Sequence, residues 1–156
     1  MDPLLHTRKE EEKPEVDELD EKILHELTHD ARQSFREIAR KLKTSTSTVI
    51  KHVQQLEKAG VIRGYSARMD FVKLGYEFPA FIEVTIKKGA QLEIQKKIAN
   101  IRGVRGVYDI TGQTDSMVFA NVKGRGELSR LVKTILSIPE VERTNTRVIL
   151  NIVKEE

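Results

Sequence analysis

Residues 34–59 read SFREIARKLKTSTSTVIKHVQQLEKA, and the fold of the N-terminal third turns on where this stretch breaks. Phe35, Ile38, Ala39 and Leu42 recur at helical spacing behind Ser34, whose hydroxyl can cap a short helix over 35–42. After a break at Lys43 and Thr44, a second helix over about 45–59 stops at Gly60, a residue suited to the position just past a helix end. Its Val49, Val53 and Leu56 form a narrow apolar stripe with Ile50 at the edge, while Ser47, Thr48, Lys51, Gln54 and Gln55 project from the other side. Lys43 occupies the turn position where glycine is common, and a non-glycine residue in left-handed geometry costs about 1–2 kcal/mol.

Working back toward the N-terminus, Asp17 can cap a preceding helix, with Asp20 three residues on as its capping-box partner. Leu19, Ile23, Leu24, Leu27 and Ala31 then fall on one arc and leave Lys22, His25 and His29 opposite. Three short helices in tandem, the last two joined by a turn of three or four residues, have the spacing of a helix-turn-helix. Charge supports a phosphate-facing use of it. Residues 1–31 carry four Lys/Arg against eleven Asp/Glu, whereas residues 32–68 carry nine against two. A basic block of that length is the footprint of a surface that meets a polyanion. In such a module the outward side chains near the start of the last helix read base edges and surrounding cations hold phosphates. We expect Ser47, Thr48, Lys51 and Gln55 at bases and Arg36, Lys43 and Arg63 at phosphates, with Ser45, Thr46 and His52 completing the face toward double-stranded DNA.

Residues 1–15, rich in charge and poor in apolar side chains, read as a flexible arm. The head is then 16–64, with β-prone pieces from Val61 to Met69, and 65–77 reads as a linker. Beyond it the pattern changes. Residues 78–87 (FPAFIEVTIK) read as a strand, 91–101 as a helix, 104–110 and 117–122 as strands, 127–138 as a helix and 141–153 as a last strand. The order βαββαβ over 78–156 is the ferredoxin-like arrangement, making the whole chain α+β. Four antiparallel strands with both helices on one side leave the other side open, and its apolar residues call for a second copy of the chain.

Other chemistries find little support. There is no cysteine, so disulfides, thiolate metal sites and a cysteine nucleophile are excluded. His25-Glu26-Leu27-Thr28-His29 matches the zinc-protease pattern H-E-x-x-H, but nothing downstream offers a convincing third ligand and the opposite helix face is needed for packing, so we assign no metal. Asp109 and Asp115 could approach one another without arguing for acid–base work. No apolar run is long enough to span a membrane, and the first residues lack the apolar core of a signal peptide, which leads us to expect a cytoplasmic protein.

Several of these segments together resemble the leucine-responsive regulatory protein/asparagine-regulator (Lrp/AsnC) family. The residues concerned are Asp17 to Leu24 (D-x-x-D-x-x-I-L), Phe35 to Ala39, Ser45 to Val49, Leu56 to Ile62, Thr111 to Asp115 (T-G-x-x-D), and Ser137 to Val141 followed by Thr144 and Thr146. The resemblance covers about residues 16–153. It implies a winged helix-turn-helix followed by a ferredoxin-like domain that dimerises, often with further assembly into tetramers or octamers. It also implies a small-molecule effector, typically an amino acid, and no cofactor. The effector would contact Gly112, Gln113, Thr114 and Asp115, with Thr144 and Thr146 from the last strand. Gln113-Thr114 departs from the family's usual small or acidic residue and tyrosine. Two other readings compete: an architectural DNA-compacting protein, and an enzyme of the two-domain plan of sirohaem decarboxylases. Against the enzyme, residues 69–156 contain no histidine and the basic face is retained.

Overall fold

The computed structural model describes residues 14–154 apart from 88 and 90, so the arm expected over 1–15 lies almost wholly outside the described residues. The chain divides into two compact units, 1–68 and 69–156.

The first unit is three helices: α1 (Glu18–His29), α2 (Phe35–Lys41) and α3 (Thr46–Lys58). Each begins where its sequence supplies a cap. Asp17 and Asp20 form a reciprocal capping box at α1, and Ser34 and Glu37 form another at α2. At α3 the Ser45 hydroxyl accepts from the Thr48 backbone N–H at 3.0 Å. Ile23, Leu27, Ile38, Ala39, Val49 and Val53 are buried together, with Leu19, Phe35, Leu42 and Ile62 packed around them. At roughly 1.5–3 kcal/mol per fully buried aliphatic side chain, this small core is what holds three marginal helices folded. Ala31 lies outside α1 and is exposed, because the chain leaves the helix at Asp30, whose backbone is extended. Lys43 is the one non-glycine residue with positive φ among the described residues, at 54°, in the turn between α2 and α3.

The β-prone stretch after α3 forms no strand. The Val61 and Ile62 N–H groups both bond to the Leu56 carbonyl and so close the end of α3, Ile62 packs into the helical core, and no described strand in this unit offers a ladder.

In the second unit the elements are β1 (Phe78–Ile86), α4 (Gln91–Ala99), β2 (Val104–Asp109), β3 (Ser116–Val122), α5 (Arg125–Leu136) and β4 (Val141–Val148). The sheet order is β2-β3-β1-β4 with every neighbouring pair antiparallel, the βαββαβ topology expected from the pattern. Alternation along β1 sorts the two faces: Ala80, Ile82, Val84 and Ile86 are buried beneath α4 and α5, and Phe81, Glu83 and Thr85 point the other way. Ile94, Ile98, Leu128, Leu131 and Ile135 supply the helical side of this core. β4 stops at Val148 rather than running to 153, because its partner β1 begins at Phe78; the last rung is Ala80 with Val148, followed by one bond from Ile149 N–H to the Pro79 carbonyl.

Candidate DNA-reading face and ligand cavity

On α3 the burial of Val49, Val53 and Leu56 against the head's core turns Ser47, Ile50, Lys51, Gln54, Gln55 and Lys58 outward, all exposed. Thr46 and Thr48 are half-buried, and the Ser45 hydroxyl sits 2.8 Å from the Ser47 hydroxyl and 2.7 Å from that of Thr48. The first turn of α3 therefore presents a cluster of hydroxyls whose protons rotate to suit either a donor or an acceptor. Arg36, Lys43 and Arg63 are exposed around it. Among the described residues Arg36, Lys43, Lys51, Lys58 and Arg63 enter no ion pair, whereas Lys41 is held by Glu26 at 2.6 Å. The local positive charge is thus left for an outside anion. Gln54 and Lys58 share the exposed face with the expected base-reading residues; helical spacing alone marks them.

His52 sits differently from the other candidates. Its Nδ1 lies 2.7 Å from Asp20 Oδ1, with 18% and 11% of the two side chains exposed. Burial pushes the Asp20 carboxyl up, but hydrogen bonds from the Asp17 backbone N–H and from His52, together with the His52 charge, outweigh it and leave it below its ordinary value. This contact ties α3 to the capping box of α1. Asp17, Asp20 and His52 each offer a ligand atom within 4.8 Å of the others, yet the carboxylates are already engaged in capping. In the H-E-x-x-H segment the rings of His25 and His29 stand 4.3 Å apart on an exposed surface, and Glu26 is taken by Lys41.

In the second unit a cavity of about 620 Å³ opens where β1 and β4 meet the β2–β3 loop. Its working groups are Glu83 and Thr85 on β1, Arg143, Asn145 and Arg147 on β4, and Thr111, Gln113 and Thr114 in the loop. The register pairs Glu83 with Asn145 and Thr85 with Arg143, which puts all of these strand side chains on the uncovered face. Glu83 accepts from Asn145 Nδ2 at 2.7 Å and from Arg147 Nε at 3.0 Å. Those two bonds lead the causes that hold its carboxyl below its ordinary value, with the charges of Arg147 and Arg143 adding to them against the opposing effect of burial. The Thr85 hydroxyl is buried without a partner.

The sequence-derived effector residues are distributed unevenly over this region. Gln113, Thr114 and Thr144 line the cavity. Gly112, with φ 126°, shapes the loop. Asp115 accepts from the Ile86 backbone N–H and from Gln91 Nε2, both at 2.8 Å, so its two oxygens join the end of β1 to the start of α4. Thr146 pairs with Ile82 in register, on the helix-covered face. Asp109 accepts from Gln95, far in role from any acid–base pair with Asp115. Arg143, Asn145, Arg147, Glu83 and Thr85 were not singled out by motif, although the alternation Arg143-Asn145-Arg147 in a strand is a readable signal.

Known proteins match both units. Residues 16–63 match the family model described as winged helix-turn-helix DNA-binding, and residues 79–156 match the Lrp/AsnC ligand binding domain. This chain belongs to the Lrp/AsnC family. An uncharacterized HTH-type transcriptional regulator of Pyrococcus furiosus is 43% identical over 142 residues, covering 91% of this chain and 96% of that one. Among solved structures, Escherichia coli AsnC superposes with a TM-score of 0.84 at 25% identity, covering 91% of this chain and 97% of its own. A Neisseria meningitidis transcriptional regulator solved as a complex with L-Met gives 0.85 at 27% identity, covering 90% and 94%. As an Lrp/AsnC member the chain is a DNA-binding transcription regulator rather than an enzyme, its winged helix-turn-helix joined to a ligand-binding domain. No described helix is long and apolar enough to cross a membrane.

Proposed function

We propose that this Lrp/AsnC regulator reads a pseudo-palindromic DNA site through the exposed face of α3 and is modulated by a free amino acid held in the β1–β4 cavity. On DNA, Ser47, Thr48, Lys51 and Gln55 contact base edges, with Ser45 and Thr46 at the entry of the helix, while Arg36, Lys43 and Arg63 fix the phosphates; His52 orients the helix through Asp20. The observation that carries the effector reading is the composition of the cavity: an Arg143 cation that enters no ion pair among the described residues, the Glu83 carboxylate bonded to Asn145 and Arg147, and the Thr85 hydroxyl line one space. That set complements a zwitterion, Arg143 for the carboxylate and Glu83 for the ammonium, with Gln113 and Thr114 around the side chain. The Neisseria relative's complex with L-Met makes methionine the first amino acid to try.

Phe81, Tyr108 and Phe119 form an apolar patch on the same uncovered face, Phe81 and Tyr108 being 39% and 55% exposed. A second copy covering that patch gives the two-fold pair that a pseudo-palindromic site requires. The test is a salt series of binding to the protein's own upstream DNA and to a random duplex of equal length, with and without each amino acid. Preference for the upstream DNA that survives physiological salt and shifts with one amino acid supports the reading. Equal, steeply salt-dependent binding to both, unmoved by every amino acid, overturns it in favour of an architectural protein.

A further inference from the structure

The second unit has another cavity, of about 540 Å³, that the effector reading does not use. It lies at the opposite end of β3 from the β2–β3 loop, between the turn leading into β2, the end of β3 and the first turns of α5. Its rim is cationic: Arg102 and Arg105 come from the β2 side, Lys123 and Arg130 from the α5 side, and all four are exposed. Among the described residues none of the four is in an ion pair. The one carboxylate in the lining, Glu127, has an oxygen turned back to the Lys123 backbone N–H at 2.9 Å. Four cations around one concavity, against the single carboxylate of Glu127, leave a net positive charge for an anion to meet.

Two further features shape what that anion can be. The Arg105 guanidinium stacks 4.6 Å from the centre of the Phe71 ring and 5.6 Å from that of Tyr76, and the Lys123 ammonium lies 5.6 Å from Tyr76. These rings hold the cations in place, which lowers the entropy lost when they close on a ligand. Gly103 keeps the floor open: its φ is 97°, and a Cβ there would stand 3.0 Å from Val122 Cγ1.

We propose that this cavity is a second ligand site, taking a small phosphorylated molecule such as a nucleotide. The phosphates lie among Arg102, Arg105, Lys123 and Arg130. A concave site of this volume with apolar residues at its floor suits a small molecule better than the convex backbone of a duplex, which becomes an alternative outcome of the test.

The test uses the full-length protein and calorimetric titration with ADP and, separately, inorganic pyrophosphate. ADP should bind saturably, and the double variant Arg102→Ala/Arg130→Ala should weaken it by at least about tenfold. Both side chains are exposed, so the variant keeps its fold. Lys51→Ala, in the other unit, should leave ADP binding unchanged, and excess methionine should not displace it. Absence of saturable binding by either probe overturns the proposal, as does ADP binding that the double variant leaves intact. Loss of affinity for a random duplex in the double variant, with no binding of ADP, overturns it in favour of a DNA-backbone contact.

Discussion

Replacing Asp20 by alanine removes two bonds made by one nearly buried carboxylate, and the structure separates what each contributes. The bond from the Asp17 backbone N–H, 3.0 Å long, is at the exposed start of α1, where water replaces the lost acceptor; its loss costs about 0.5 kcal/mol, the low end for a hydrogen bond. The contact with His52 is different, because its partners are 82% and 89% withdrawn from water, read as the complement of their 18% and 11% exposure. A charge-assisted bond in that setting contributes about 1.5–3 kcal/mol, and the orphaned imidazole recovers little from solvent. Asp20→Ala should therefore destabilise the head by about 2–3 kcal/mol, and a double-mutant cycle with His52→Ala should return a coupling of at least about 1 kcal/mol. Urea unfolding of the full-length protein followed by helical circular dichroism measures both. The sign of the pH dependence follows from the direction of the shift. Asp20 titrates below its ordinary 3.8 in the folded head, so its contribution is complete above that pH and disappears as the pH falls through the lower folded value. The gap between wild type and Asp20→Ala should thus narrow as the pH falls through 3.8 and close below it. A coupling indistinguishable from zero, or a gap that persists in acid, would refute the assignment of Asp20 and His52 as the clamp between α1 and α3.

Lys43→Gly should raise the unfolding midpoint by up to about 1 kcal/mol, because φ at this position is 54° and glycine adopts it without a Cβ penalty; an unchanged or lower midpoint would mean that Lys43 makes a compensating contact. Lys51→Ala and Gln55→Ala should each narrow the gap between upstream and random DNA by about 1–3 kcal/mol in a competition assay, whereas Arg63→Ala should weaken both equally and flatten the slope of log affinity against log salt by about 0.9. Phe81→Glu, which puts a charge into the apolar patch beside Phe119, should shift the protein toward monomer in sedimentation velocity; an unaltered assembly would place the pairing surface elsewhere. Glu83→Gln should lower affinity for the amino acid about tenfold with little effect on DNA binding in its absence, and equal affinity would remove Glu83 as the ammonium partner.

What could be read from the chain beforehand divides by the range of the interactions involved. The helical head was legible because its determinants are local: Asp17, Ser34 and Ser45 cap within three residues, and the stripe of Val49, Val53 and Leu56 declares which side of α3 is free. The strands of the second unit showed themselves through alternation, most clearly in β1. After Gly60 the β propensity leads to no strand, because it is a statement about fitting a pleated surface and Val61 and Ile62 have none to join; they finish α3 instead. Tertiary pairs were invisible. Nothing in the sequence marks His52 as the partner of Asp20, 32 positions away, and so its place on a polar helix face suggested DNA. The candidate cavity was half legible: the loop motif marks Gln113 and Thr114 of its lining, but Arg143 and Glu83 come together only through the register that brings β4 against β1. Asp115, conspicuous in the motif, spends both oxygens on chain geometry.

The placement of the cavity and the apolar patch on one sheet face has a mechanical consequence for regulation. Phe81 belongs to the patch and Glu83 and Thr85 to the cavity, on the same side of the same strand, so successive members are about 6–7 Å apart along β1. On the proposed reading a copy of the chain seated over Phe81 borders the cavity, and a ligand there meets a different environment in the paired and unpaired states. Such a ligand cannot be neutral toward assembly: each tenfold difference in its affinity for the two states moves the assembly equilibrium by about 1.4 kcal/mol, and assembly changes ligand affinity by the same factor. On that reading two paired chains bring two helix-turn-helix heads to two half-sites, and the same free energy would pass to DNA affinity through the pairing. Regulation in this chain then needs no structural change within the sheet, only a ligand that prefers the paired form or the unpaired one, and the sign of that preference determines whether the amino acid strengthens or releases the grip on DNA.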